Sequence, residues 1–140
     1  MSPAMQYRVF DRVGRDFIAA LCKRRHFEPM DSPAERHGSW EWTFRKREND
    51  FDRFVSVAFT SLPPAVPNGD WYAVEVWAGA EQNDRYTRKS VSDFRATLQD
   101  NYTDQLRSAL KEPLARAMSI AESFTSRDLD EAYDRPPSQA

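Results

Sequence analysis

The sequence predicts an α+β fold: an N-terminal helix, an antiparallel meander of three to four strands, and a long, kinked C-terminal helix packed on one sheet face. Three observations predict this order. Apolar residues recur every three or four positions near both ends of the chain, they alternate with polar residues in the middle, and 140 residues suit one domain. We therefore expect a single domain over residues 1–125 and a polar, flexible tail over residues 126–140.

An apolar stripe near the N-terminus predicts the first helix. The stripe begins at Tyr7, continues at spacings of three and four residues, and ends near Arg25. Cys22 lies on this stripe, so we expect its thiol to fill the core rather than to act as a nucleophile. Residues 27–39 contain two prolines and a glycine without an apolar period, which predicts a connecting loop.

Apolar residues at every second position predict three strands in the middle of the chain, although neither face of the third strand is wholly polar. The first two flank a turn near Asn49 and should pair as an antiparallel hairpin. The third covers residues 71–80, and residues 85–89 predict a short, charged edge strand. The alternating apolar positions are Trp40, Trp42 and Phe44, then Val55, Val57 and Phe59, then Tyr72, Val74 and Val76.

The long C-terminal helix is predicted to begin at Ser90, because Asp93 follows three residues later, as in a capping box. Helical spacing of apolar residues starts with Val91 and Phe94 and continues beyond Pro113. Proline removes a backbone donor and clashes with the preceding turn, so we expect the helix to kink or restart at Pro113.

The alternation along the strands also predicts an aromatic surface on the sheet face that the helices leave free. If the valine-rich positions face the helices, then Phe54, Trp71 and Trp77 must face away from them. With Glu75 and Arg53 as a charged rim, this surface has the composition of a protein interface. In the alternative interpretation, the second half of the long helix folds over these rings and covers them.

These features favour a small, non-catalytic module that binds another protein or a second copy of itself, as an adaptor, inhibitor or accessory subunit. The chain has four glycines and no nucleotide-binding or serine-hydrolase motif. Two histidines and one cysteine exclude a zinc site built from several thiolates. No catalytic residue, metal or cofactor is therefore assigned. Four possible metal ligands lie close in sequence but match no metal-ligand spacing, namely His26, Asp31, Glu35 and His37. The predicted protein-binding residues are Phe54, Trp71, Glu75 and Trp77.

An RNA- or single-stranded-DNA-binding domain is the alternative hypothesis. Three basic clusters are interleaved with strand aromatics, which suits phosphate contacts combined with base stacking. The net charge of −2 and the acids beside two of the clusters favour solvated loop ends instead. The nucleic-acid-binding residues would be Lys23, Arg24, Arg25, Arg45, Lys46, Arg47, Arg85, Arg88 and Lys89.

A divergent metal-dependent nuclease is a third hypothesis. The order helix, three strands, helix, with Asp70 and the run Glu75, Val76, Trp77, resembles the core of the PD-(D/E)xK nucleases over the middle third of the chain. The resemblance implies that the two acids would hold a metal ion. This chain departs from the family pattern because Trp77 replaces the lysine and both acids lie on one strand.

We expect the protein to be cytoplasmic and not to bind membranes. The first residues contain no apolar run of the signal-peptide type, and the single cysteine cannot form a disulfide within the chain. Sixteen of the 20 cations are arginine, which fits the codon bias of a GC-rich bacterial genome as well as a preference for forked ion pairs.

Overall fold

The computed structural model describes residues 12–30, 34–36, 39–61, 71–97 and 102–131. Helix α1 is described from residue 12 and contains a π-helical turn, Gly14–Ile18, followed by the α-helical segment Ala19–Lys23; the part of the predicted first helix from Tyr7 to residue 11 lies outside the described residues. The strands are β1 (Glu28–Pro29), β2 (Ala34–Arg36), β3 (Ser39–Glu48), β4 (Phe51–Ser61), β5 (Trp71–Gln82) and β6 (Arg85–Thr97). Helix α2 covers Tyr102–Ser123 and helix α3 covers Ser126–Glu131.

The strands form one antiparallel sheet in which β3, β4, β5 and β6 follow one another as a meander. This confirms the predicted α+β fold. The short strands β1 and β2 both pair with the remaining edge of β3, so the predicted loop over residues 27–39 is wrong for these two segments. Strands of two or three residues are too short to show alternation, and their extended form depends on pairing with β3.

One face of the sheet carries the core, and the described helices pack on that face. Val57 on β4 pairs with Trp42 on β3 and with Val76 on β5, and all three side chains are buried. Leu110 and Leu114 of α2 belong to the same buried cluster, as does Ile18 of α1. The predicted packing of the C-terminal helix on one sheet face is therefore confirmed.

The predicted start of the long helix at Ser90 is wrong, because residues 91–97 belong to a strand. β6 extends as far as Thr97, and α2 begins only at Tyr102. The charged edge strand predicted over residues 85–89 is thus the first part of a strand of 13 residues.

A β-bulge in β6 explains the misleading apolar spacing. Ser92 pairs with Val76, whereas Ser90 pairs with the next residue of β5, so Val91 is an extra residue in the strand. As a result, Val91 and Phe94 both pack against the core. Their spacing of three residues is therefore produced by a bulged strand and imitates a helix.

Helix α2 remains helical through Pro113, so the chain does not restart there. Pro113 is buried, and Leu110 and Leu114 on either side of it are fully buried. The proline removes one backbone donor from the helix. The apolar stripe continues on both sides of the proline and holds this part of the helix against the sheet.

Residues 126–131, at the start of the segment predicted as a polar, flexible tail, form helix α3. Leu129 is buried with Phe51 and Ala80. The backbone N–H and the hydroxyl of Thr125 donate to the Asp128 carboxylate at 2.6 and 3.1 Å, which caps the helix. The rest of the predicted tail, residues 132–140, lies outside the described residues.

Helix α1 ends in a Schellman motif. The backbone N–H of Phe27 donates to the carbonyl of Cys22 at 3.0 Å, and that of His26 donates to the carbonyl of Lys23 at 3.0 Å. His26 adopts the left-handed conformation (φ 67°) that this motif requires. The motif reverses the chain, so that Phe27 packs in the core beside Cys22.

Gly14 faces the Trp42 ring too closely for a side chain. A Cβ atom at position 14 would lie under 3.0 Å from three indole atoms. We expect Gly14→Ala to lower the free energy of unfolding by about 1–3 kcal/mol, the usual cost of overpacking, in urea denaturation. In a Trp42→Phe background, which shortens the ring, the same substitution should cost less, and an equal cost in both backgrounds would contradict this packing argument.

The Cys22 thiol is fully buried, as predicted, and burial raises its pKa to about 12. A neutral thiol without solvent access is a poor nucleophile. We expect an aromatic disulfide reagent to leave Cys22 unmodified in the native protein at about pH 8 and to modify it completely in concentrated guanidinium chloride. Rapid modification of the native protein would show that the thiol is accessible.

Candidate interaction surface

The sheet face opposite the helices, called the open face below, carries none of the described helices. Strand pairing arranges its residues in rows that cross β3, β4, β5 and β6. Three successive rows occupy the middle of this face. The acidic row consists of Glu41, Ala58, Glu75 and Asp93, the tryptophan row of Thr43, Ser56, Trp77 and Ser90, and the arginine row of Arg45, Phe54, Gly79 and Arg88.

Trp77 occupies the central part of the open face and is partly buried. The guanidinium carbon of Arg88 lies 3.9 Å from the centroid of the indole ring. Such a cation–π contact stabilises its side chains by about 0.5–2 kcal/mol. The second half of the long helix does not cover Trp77, because the apolar residues of α2 and α3 pack on the opposite face.

The bulge in β6 determines which side chains surround Trp77. Without Val91 as an extra residue, alternation would place the odd-numbered residues from 85 to 89 on the open face. With the extra residue, Tyr86 and Arg88 face the same side as Trp77. The stacking of Arg88 on Trp77 therefore depends on the bulge.

The guanidinium group of Arg116 on helix α2 contacts the backbone of the bulge. Arg116 donates a hydrogen bond to the backbone carbonyl of Val91 at 2.9 Å. Glu112, one turn earlier on α2, accepts a hydrogen bond from the same guanidinium at 2.9 Å. The helix layer thus supports the backbone that orients Arg88 on the other side of the sheet.

Gly79, between Phe54 and Arg88 in the arginine row, is closely approached by its neighbours on β6. A Cβ atom at this position would lie 3.0 Å from the backbone carbonyl oxygen of Thr87 and 3.6 Å from the Tyr86 hydroxyl. Burial raises the pKa of Tyr86, so its hydroxyl remains protonated and available as a donor. Position 79 therefore has no room for a side chain without a shift of its neighbours, and a polar hydroxyl lies beside it.

Glu75 shares the acidic row with two other carboxylates. Burial raises the pKa of Glu75, and the negative charges of Asp93 and Glu41 raise it further, whereas Arg88 lowers it. Within the described residues, no side-chain ion pair or hydrogen bond joins these three carboxylates to a cation. The acidic row therefore presents negative charge beside the central tryptophan.

The open face brings together three of the four predicted protein-binding residues, namely Phe54, Glu75 and Trp77. Trp71 belongs to β5, but its side chain lies outside the described part of the chain. Sequence reasoning missed Tyr86 and Arg88 as members of this surface. The charged run over residues 85–89 has no apolar alternation that could have assigned a face to either of them.

Arg53 does not belong to the rim of the open face, so this part of the prediction is wrong. Its guanidinium donates to the backbone carbonyls of Ala121 and Phe124 at 2.6 and 3.0 Å, which ties β4 to the C-terminal end of α2. Side chains along a strand alternate between the two faces of the sheet, so Arg53 lies on the same face as the buried residues Val55 and Val57.

The structure does not gather the three predicted basic clusters on one surface. The cluster 45–47 lies on β3 and the cluster 85–89 on β6, with two strands between them. The third cluster, 23–25, lies at the end of α1 in the helix layer. Lys23, Arg24, Arg85 and Lys89 are exposed, while Arg45 and Arg88 lie in the arginine row.

Several cations of these clusters are engaged within the chain. Arg25 donates to the carbonyl of Ala115 at 3.1 Å and forms a 2.7 Å ion pair with Glu122, which joins α1 to α2. Arg47 binds both carboxylate oxygens of Asp52 at 2.7 and 3.1 Å, and this hydrogen bonding lowers the pKa of Asp52. Lys46 forms a 3.4 Å ion pair with Glu48 and lies over the Phe27 ring.

The structure does not test whether the two acids of the nuclease hypothesis, Asp70 and Glu75, lie close enough to share a metal ion. Asp70 lies outside the described residues, and Trp77, at the position of the lysine in those nucleases, is stacked under Arg88. Of the four residues weighed for metal binding, Asp31 and His37 also lie outside the described residues. In the described ranges, no group of three histidine, cysteine, aspartate or glutamate side chains is arranged to hold a metal ion.

Comparison with known proteins adds no functional information. None of the helices in the described part of the chain is both long and apolar enough to cross a membrane. No protein-family model, no curated protein and no solved structure matches this chain.

Proposed function

We propose that the protein is a non-catalytic binding module whose open face docks on another protein chain. The observation that carries this proposal is the partly buried Trp77, stacked by Arg88 on a sheet face without a described helix. Tryptophan, tyrosine and arginine are the residues that most often dominate the binding energy of protein interfaces. The open face holds all three types close together, since Tyr86 lies two residues from Arg88 on the same side of β6.

The surroundings of Trp77 support the same proposal. Interfaces commonly have an apolar, aromatic centre and a charged rim. Here Phe54 and Trp77 lie among small residues of the two central strands, such as Ala58 and Gly79, and carboxylates and guanidinium groups surround them. A partner side chain can therefore approach Phe54 and the part of the Trp77 ring that the Arg88 guanidinium does not cover.

The position of Trp77 on the sheet favours binding over a purely structural role. β5 is paired on both sides, so the backbone that carries the indole is held by two ladders of hydrogen bonds. A preorganised aromatic anchor loses little conformational entropy when a partner binds. A ring needed for the core would instead lie on the face that carries Val74, Val76 and Ala78.

Site-specific photocross-linking tests the proposal in an extract of the source cells. We expect a photoreactive side chain at Ser90, which pairs with Trp77, to capture a discrete set of proteins, including any second copy of the chain. Trp77→Ala should abolish this capture, because loss of an aromatic anchor costs about 2 kcal/mol or more. The matched control carries the same photoreactive group at Ser108, an exposed position on α2.

Folding of the variant decides how the result is interpreted. Because Trp77 lies outside the buried core, Trp77→Ala should still unfold cooperatively, with the free energy of unfolding lowered by about the 0.5–2 kcal/mol of the lost stacking with Arg88. Capture that is equal from Ser90 and Ser108, or that persists in the folded Trp77→Ala variant, would overturn the proposal.

A further inference from the structure

We infer that the partner of the open face is a second copy of this chain, related by a twofold axis that crosses the strands along the tryptophan row. The inference rests on the proposed function and names the partner for that surface. It is carried by the order of the three rows, acidic, tryptophan and arginine, which makes the open face complementary to itself.

The axis exchanges the acidic and arginine rows between the two copies. Rotation about a line across the strands keeps each strand opposite its own copy and reverses its direction. On β3, Glu41 of one copy then meets Arg45 of the other. On β6, Asp93 meets Arg88 in the same way. Since a twofold interface repeats every contact, these two pairs supply four attractions between opposite charges.

Side-chain size is complementary in the same arrangement. On β4, Phe54 of one copy lies opposite the small residue Ala58 of the other. On β5, Glu75 lies opposite Gly79, which has no side chain and has the Tyr86 hydroxyl beside it. On β4 a large side chain therefore meets a small one, while on the axis Trp77 of one copy lies opposite Trp77 of the other.

A twofold axis parallel to the strands would have the opposite consequence. It would place β3 opposite β6 of the second copy and would leave each row facing itself. Glu41 would then face Asp93 across the interface, and Arg45 would face Arg88. Like charges placed together cost several kcal/mol at an interface, so the charge pattern favours the axis across the strands.

The size of the open face suits such a dimer. Five paired rows cross the four long strands, from the row of Ser39 to the row of Arg47. With about 4.8 Å between strands and about 6.8 Å between rows on one face, the flat area is roughly 650 Å² per copy. This is close to the roughly 800 Å² per partner of a standard stable interface.

Charge reversal on β3 tests the inference, because Glu41 lies in the acidic row and Arg45 in the arginine row, and neither lies on the strand that carries Trp77. We expect sedimentation equilibrium of the full chain to show a monomer–dimer equilibrium, and we expect Glu41→Arg or Arg45→Glu to raise the dissociation constant of the dimer about tenfold or more. The double variant, which restores opposite charges across the axis, should return within about threefold of the original constant. Lys89→Glu, an exposed charge reversal on β6 outside the three rows, is the matched control and should leave dimerisation unchanged.

Two results would overturn the inference without overturning the proposed function. A chain that remains monomeric at about 100 μM has no such dimer, while cross-linking from Ser90 can still identify a different protein on the open face. A dimer that responds equally to Arg45→Glu and Lys89→Glu, or that the double variant fails to restore, uses another contact. If the dimer responds to charge reversal as expected but Ser90 cross-links no more specifically than Ser108, the dimer does not bury the tryptophan row. That result would overturn both the inference and the proposed function.

Discussion

The alternation of side chains across the pleated sheet is the constraint on which the rest of this structure depends. Once Trp42, Val57 and Val76 bury one face under the helices, every neighbouring residue along those strands must lie on the other face. That geometry assigns Phe54 and Trp77 to the open face without any further interaction. It also explains why Arg53, which is adjacent in sequence to Phe54, supports a helix on the other side of the sheet.

Arginine joins the layers of this protein more than it forms a basic surface. Arg25, Arg53 and Arg116 each donate to a backbone carbonyl of another element, and they connect α1 with α2, β4 with α2, and α2 with the bulge in β6. A planar guanidinium with several donors suits such bridges better than an ammonium group. The arginine-rich composition therefore has a structural explanation, and Arg88 extends it to the open face, where its guanidinium stacks on Trp77.

The errors of sequence reasoning have identifiable physical causes. The bulge at Val91 brings two apolar residues three positions apart onto one face, and this spacing is the usual sign of a helix. Helix α3 buries a single leucine and is stabilised by a cap between Thr125 and Asp128, so its segment has the composition of a mobile tail. The short strands β1 and β2 have no periodicity of their own and depend on the edge of β3.

The amino-acid sequence alone determined the α+β class, the meander, and the separation of Phe54 and Trp77 from the buried valines, because these follow from local periodicity. Tertiary structure decided which side chains surround Trp77. An inserted residue moves every residue that precedes it in β6 to the opposite face, and the pairing with β5 places the insertion at Val91, whose carbonyl accepts a hydrogen bond from Arg116. For this reason the rows of the open face, in which Arg88 and Tyr86 join the predicted aromatic residues, became visible only in the folded chain.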